Sequence, residues 1–153
     1  MANKYHTTHA KAKEVIDKCD TCYVGMVDPD NLPYVLPFNF GYAEQAIFLH
    51  SGPTGKKQDV LKNNPEVCIS FSTDHELYQR HEQVACSSGM RYRSVLAFGK
   101  AIFIDNYDEK VRIMNIIMQK YAGKDFTYSA PSINNLAVYR VEIHKIETII
   151  SGY

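Results

Sequence analysis

An excess of either charge is what this sequence most plainly lacks: seventeen basic and seventeen acidic side chains cancel across 153 residues. Neutralising a nucleic-acid backbone takes a basic face or stripe, and a polybasic membrane anchor takes the same, so neither partner is expected. Long apolar runs are missing too; none approaches the ~20 residues that cross a bilayer. The opening MANKYHTTHAKAKEV carries no apolar core of the kind a secretory signal has. A cytoplasmic protein is therefore expected, and at this length one domain over residues 1–153.

Metal and hydrolase signatures are scarce as well. Four cysteines include one C-x-x-C, Cys19 and Cys22, with no second copy. The histidines His75 and His81 follow only about fifty residues later, a spacing that matches no zinc pattern. The C-x-x-C closes a helix and opens a strand, whereas thioredoxin-like use wants the reverse. Structural thiols, exposed loop histidines and no metal site are expected. Neither H-E-x-x-H, nor G-x-S-x-G, nor a paired-carboxylate constellation occurs, which argues against a hydrolase.

What is present alternates like a β-protein. TTHAKAKEVIDKC reads as a short helix behind a threonine cap. A hairpin is expected from Cys22 to Tyr42 around DPDN, with Pro33 and Pro37 confining that strand to an edge or a bulge. AIFLHS and EVCISFST read as strands on either side of a helix that begins near Lys56 and stops at Asn64–Pro65. The polar tract Asp74–Ser88 fits a long hairpin loop or a short helix. MRYRSVLAFGKAIFID is a long strand in which Gly99 marks a bulge or a close approach. Asn106 caps a helix that Gly123 ends, with Val111, Met114, Ile117, Met118 and Tyr121 as its apolar face and Glu109 at the capping-box position. LAVYRVEIHKIETIISGY closes the chain as a strand. Short turns joining successive strands give an antiparallel barrel with helical additions, an α+β protein that is mainly β.

One stretch is at odds with local electrostatics. In SGPTGKK, Lys56 and Lys57 open a helix, where the dipole favours negative charge. The spacing fails the P-loop pattern, since Gly52 and Gly55 are only two residues apart and no Ser or Thr follows the lysine. The ingredients of an anion seat remain: a glycine-rich turn, the hydroxyls of Ser51 and Thr54, and two cations beside a helix start. Solvated surface lysines are the alternative.

The motifs P-Y-V-x-P-x-N-F-G-Y, F-x-H-S, G-K-K, N-P-x-V and Y-R-S-V occur in that order between Tyr23 and Gly123. In this the chain resembles the pyridoxamine 5′-phosphate oxidase-related family, and more narrowly its Nim-type (5-nitroimidazole resistance) branch. That resemblance implies a six-stranded FMN-binding split β-barrel that forms a homodimer with the flavin at the interface. It implies that Lys56 and Lys57 hold the FMN phosphate with help from Ser51. Leu36, Pro37, Phe38 and Asn39 would lie along the isoalloxazine ring, and Phe48, Leu49 and His50 would reach the ring and ribityl chain. His50 corresponds to a histidine near flavin and substrate, and is the catalytic candidate. Arg91 and Ser94 match the segment around Y-R-S, contributing near or across the interface. The wider family often has arginine where Lys56 stands, and the C-terminal strand lacks the Arg/Trp-rich tail of true pyridoxamine-phosphate oxidases. The implied activity is thus an FMN-dependent, nitroreductase-like oxidoreductase acting on a small electron-poor substrate. A non-catalytic flavin- or haem-binding carrier or sensor is the competing expectation.

Overall fold

A computed structural model describes residues 3–153. In chain order the elements are β1 (Asn3–His6), α1 (His9–Ile16), β2 (Cys22–Val27), β3 (Pro33–Phe38), β4 (Phe40–Ala43), β5 (Ala46–Ser51), α2 (Lys56–Asn63), β6 (Glu66–Gln79), β7 (Ser88–Ile104), α3 (Tyr107–Ala122), α4 (Ala130–Asn134) and β8 (Ala137–Ser151). The strands form one antiparallel sheet in the order β3-β2-β6-β7-β8-β5-β4, with β1 added alongside β8. β3 and β4 stand at opposite ends of that order, yet only Asn39 separates them in sequence. A sheet whose two ends are joined by one residue must curl on itself. The result is the split barrel the sequence implied. Its six expected strands become eight because the segment after Pro33 divides at Asn39 and β1 joins the edge.

Both prolines sit on β3, the terminal strand of the order, where no second neighbour needs their missing N–H. Pro37 faces outward and exposed, so the edge position accounts for it without an opening in the sheet. The polar tract after Asp74 continues as strand: β6 runs to Gln79, pairs with β7 from Ser88, and leaves a short 3-10 turn at Ala85–Ser87 at the tip. That settles the choice in favour of a hairpin. Gly99 lies at a register shift between β7 and β8, where an added Cβ would stand 2.2 Å from the Glu142 carbonyl oxygen.

Two apolar clusters hold the fold. Inside the barrel, Phe40 meets Phe71 edge to face at 4.9 Å, with Ile47, Leu49, Ile69, Val95 and Val141 around them. Beneath α3, Phe48 packs with Ile113, Met114, Ile117, Ile133 and Val138. β5 feeds both clusters, which is why AIFL is continuously apolar rather than alternating. α3 is capped as its sequence implied: Asn106 accepts from the Glu109 N–H at 2.9 Å, and Gly123 takes the left-handed conformation, φ 67°. The Glu109 carboxylate does not complete the reciprocal bond; it pairs with Arg112 at 2.6 Å. The buried face is also rotated from the expected one. Ile113 is inside, whereas Tyr121 is exposed, its hydroxyl donating to the Asp20 carbonyl and accepting from the Phe40 N–H. No helix among the described residues is long and apolar enough to cross a membrane.

Candidate functional site

The site grows from the β5–α2 connection. β5 ends at Ser51, the chain turns through Gly52–Gly55, and α2 begins at Lys56 with Gly55 as its N-cap, φ 129°. No side chain caps this helix start. Its first intrahelical bonds are donated by Gln58 and Asp59 to the Gly55 carbonyl, so the N–H groups of Lys56 and Lys57 precede the ladder and face outward from the helix end. Gln58, Val60 and Leu61 are buried and fix α2 against the barrel. Asp59 in the first turn and Lys62 in the last complement the dipole.

Strand β3 supplies the facing wall. Alternation turns Tyr34, Leu36 and Phe38 toward the protein and leaves Pro33, Val35 and Pro37 outside. The Lys56 ammonium lies 4.6 Å from the Tyr34 ring centroid and 3.7 Å from Asp28 Oδ2. The Lys57 ammonium lies 5.3 Å from the Phe38 ring centroid. The two cations are therefore not equivalent. Lys56 shares its charge with Asp28, whose other oxygen accepts from the N–H groups of Asp30 (2.9 Å) and Leu32 (3.0 Å) in the turn. Those backbone bonds, the Leu32 one foremost, hold the Asp28 carboxyl below the usual carboxylate range, with Lys56 adding to the effect. Among the described residues no carboxylate pairs with Lys57.

His50 lies one residue before the end of β5, half-buried, with Nδ1 enclosed and unpartnered. Burial first, and the Lys57 charge second, push its pKa below the ordinary 6.5. A neutral imidazole results at neutral pH, with one ring nitrogen able to donate and the other to accept.

Ser51 takes a different part from the one its hydroxyl suggested. It is buried, and its Oγ lies 2.8 Å from the Tyr139 hydroxyl, 2.9 Å from Gln58 Nε2 and 3.1 Å from the Gly52 carbonyl oxygen. A hydroxyl offers one proton and two lone pairs, so these three neighbours saturate it. Ser51 holds the loop together rather than offering a free hydroxyl to a ligand. Phe48 and Leu49 are likewise turned to packing. Both are fully buried in the two clusters, and β5 is paired on both sides, with β4 and with β8. Phe38 and His50 remain beside Lys57, and Tyr34 and Asp28 beside Lys56; Leu36 packs on the barrel core and Asn39 links β3 to β4. Arg91 and Ser94 do not join them. His50 aligns with Val138, which aligns with Ile104 at the far end of β7. Arg91 is instead paired with Glu76 at 3.4 Å and flanked by the rings of Tyr78 and Tyr153, while Ser94 faces Ser72 and Ile149.

Asp28, Tyr34, Gln58 and Tyr139 are site residues that sequence reasoning passed over. Asp28 carried a signal, since the turn DPDN ends a strand next to the one lined by Tyr34, but it read only as turn chemistry. A cleft of about 520 Å³ lies elsewhere, where the connection after α1, β4 and α3 meet, against Asp17, Tyr42 and Lys120. Among the described residues it encloses no buried unpartnered polar atom. The thiols of Cys19 and Cys22 near its rim are free and buried, and burial pushes Cys22 up to about 12, so both are packing groups.

The profile of the family described as pyridoxamine 5′-phosphate oxidase matches residues 8–150. A solved candidate 5-nitroimidazole antibiotic resistance protein from Bacteroides thetaiotaomicron is 35% identical, with a TM-score of 0.83 over 97% of this chain and 90% of that one. The FAD and heme binding protein of Mycobacterium smegmatis (17% identity, TM-score 0.85, 98% and 74% covered) shares the fold. So does the flavocytochrome Anf3 of Azotobacter vinelandii (18% identity, TM-score 0.83, 97% and 70% covered). No functionally curated protein matches significantly.

Proposed function

Because this chain belongs to the pyridoxamine 5′-phosphate oxidase family, we propose that it is an FMN-dependent oxidoreductase that works as a cytoplasmic homodimer. The observation that carries this reading is the seat at the α2 start. A glycine-rich turn, uncapped helix N–H groups and an unneutralised Lys57 converge there beside the enclosed, unpartnered Nδ1 of His50. These residues fit a flavin phosphate and the polar edge of a ring system. When bound, FMN supplies hydride or electron transfer to a small electron-poor acceptor, and the 35%-identical relative makes a nitroaromatic the class to try first.

The chain's own groups then have definite tasks. The loop N–H groups and Lys57 bind the doubly charged phosphate end. Leu36 and Phe38 pack into the barrel and fix β3, so a ring would lie along the β3 backbone rather than on their side chains. His50, neutral by burial, can donate a hydrogen bond to the acceptor from one ring nitrogen and accept one at the other, and so orient it.

The dimer rests on the opposite face of the same hairpin. Tyr23, Val27 and Val35 are 53%, 39% and 57% exposed, and they share one largely apolar face with Pro33, Pro37 and Gly25. On this reading Arg91 and Ser94, which lie away from His50 within one chain, contribute to the flavin of the second copy. The four free thiols agree with a reducing compartment.

The test is an FMN titration with a visible spectrum and a light-scattering mass. Stoichiometric FMN uptake by a dimer is expected. A colourless monomer that ignores FMN, or a Soret band in place of flavin absorption, would overturn the reading.

A further inference from the structure

Gln58 is 1% exposed in an eight-residue helix whose other buried positions are Val60 and Leu61. An apolar side chain would fill that position without an amide to satisfy. Both hydrogens of Gln58 Nε2 are engaged, one on Ser51 Oγ at 2.9 Å and the other on the Gly52 carbonyl oxygen. The amide cannot be the other way round, because Oε1 would then face the Gly52 oxygen. Through Ser51 the contact extends to the Tyr139 hydroxyl on β8, so one side chain ties α2, the end of β5 and β8 together.

The consequence falls on the loop. The Gly52 carbonyl is drawn inward to Gln58, and the Gly55 carbonyl is occupied by the N–H groups of Gln58 and Asp59. Two oxygens that would repel an anion are thus turned away from the helix start. Pro53 has no N–H, which leaves those of Thr54, Gly55, Lys56 and Lys57 for an incoming group. Gln58 Oε1 is enclosed without a partner and stands 3.4 Å from where a Cβ on Gly55 would lie. Gly55 therefore has both a backbone and a packing reason to be glycine.

We propose that Gln58 is a positioning residue that shapes the Gly52–Gly55 loop for a phosphomonoester and so sets the preference for a phosphorylated over a dephosphorylated flavin. It rests on the flavin reading above. Fluorescence titrations with FMN and with riboflavin, on wild type and on Gln58→Leu and Gln58→Glu, test it. Wild type should favour FMN. In the leucine variant FMN affinity should fall roughly tenfold, about the value of one charge-assisted hydrogen bond, while riboflavin affinity stays within about twofold; the glutamate variant should lose more. An unchanged FMN-to-riboflavin ratio, or equal losses for both ligands with a lower melting temperature, overturns the proposal and leaves the flavin reading standing. Should the leucine variant fail to fold, Ser51→Ala removes the acceptor with one atom, and the same ratio decides. Wild type that binds neither ligand overturns the flavin reading itself.

Discussion

Replacing Lys57 with alanine is the most discriminating perturbation at this site. Lys57 is half-buried, its ammonium lies 5.3 Å from the Phe38 ring centroid, and no carboxylate among the described residues pairs with it, so its charge is available to a ligand. One charge-assisted hydrogen bond to a phosphate is worth about 1.5–3 kcal/mol. At 1.4 kcal/mol per decade this is roughly 10- to 150-fold in Kd. Lys56 should matter less. It is mostly exposed, and it already interacts with Asp28 at 3.7 Å. Losses of about 0.2–1 kcal/mol are usual for such screened charges. Apo stability should hardly move in Lys57→Ala. Removing a cation from a helix start gains about 0.3–1 kcal/mol, and losing the contact with Phe38 costs about 0.5–1 kcal/mol. Asp28→Asn sharpens the argument. Both turn hydrogen bonds use Oδ1, which asparagine keeps, while the oxygen facing Lys56 is lost. That variant should bind FMN a few-fold more tightly. Fluorescence-quenching titrations of the three variants give the ranking. Lys57→Ala binding within about twofold of wild type, or weakened less than Lys56→Ala, would refute the account of the seat.

Other consequences are quicker to check. His50 has a depressed folded pKa, so the unfolded chain binds more protons as pH falls below about 6.5. The stability His50 contributes is present above that pH and is lost on descending toward the folded value. Urea unfolding at pH 7.5 and 5.5 should show a smaller pH-dependent loss in His50→Gln than in wild type. Iodoacetamide at pH 8 should label the exposed Cys86 first and leave Cys22 untouched in native protein, read by mass spectrometry. Gly99→Ala should destabilise by about 3 kcal/mol or more through overpacking, because its Cβ meets backbone on β8. Gly52→Ala, with nothing within 4 Å, should stay within about 0.5 kcal/mol of wild type in the same melts.

Features that rest on local chemistry were legible in the sequence. Asn106 and Gly123 delimit α3 through bonds made within its own first and last turns, and Gly99 betrayed a close approach by interrupting an apolar strand. Prolines at 33 and 37 pointed to an edge, where β3 lies. Features that depend on distant partners were not. β1 exists because β8 offers it an edge, and the polar arm to Gln79 is strand because β7 pairs with it. Tyr121 leaves the buried face because the Asp20 carbonyl and the Phe40 N–H, 101 and 81 residues away in sequence, engage its hydroxyl. In the candidate site the glycines and lysines were visible as a motif. That Phe48 and Leu49 belong to the cores was hidden, since a strand buried on both faces gives no alternation to read. Gln58 looked like any polar helix residue.

Two cations at a helix start would be a poor arrangement if their full charge acted there. Lys56 and Lys57 contribute +2, and the helix end roughly +0.5. Against these stand the carboxylates of Asp28, beside Lys56, and Asp59, in the first turn. The balance near the seat is only about +0.5 in those units. A phosphate would then be selected less by a strong positive field than by where the N–H groups and the Lys57 ammonium point. Affinity governed by placement should depend weakly on ionic strength, because contacts that are short and partly buried are screened little, whereas a diffuse lysine field decays over about 8 Å at 0.15 M salt. FMN titrations at low and moderate salt decide between the two. A shallow slope that steepens in Gln58→Leu means that loop geometry carries recognition. A steep slope already in wild type means that the lysines act as a field, and that Asp28 and Asp59 neutralise them less than their positions imply.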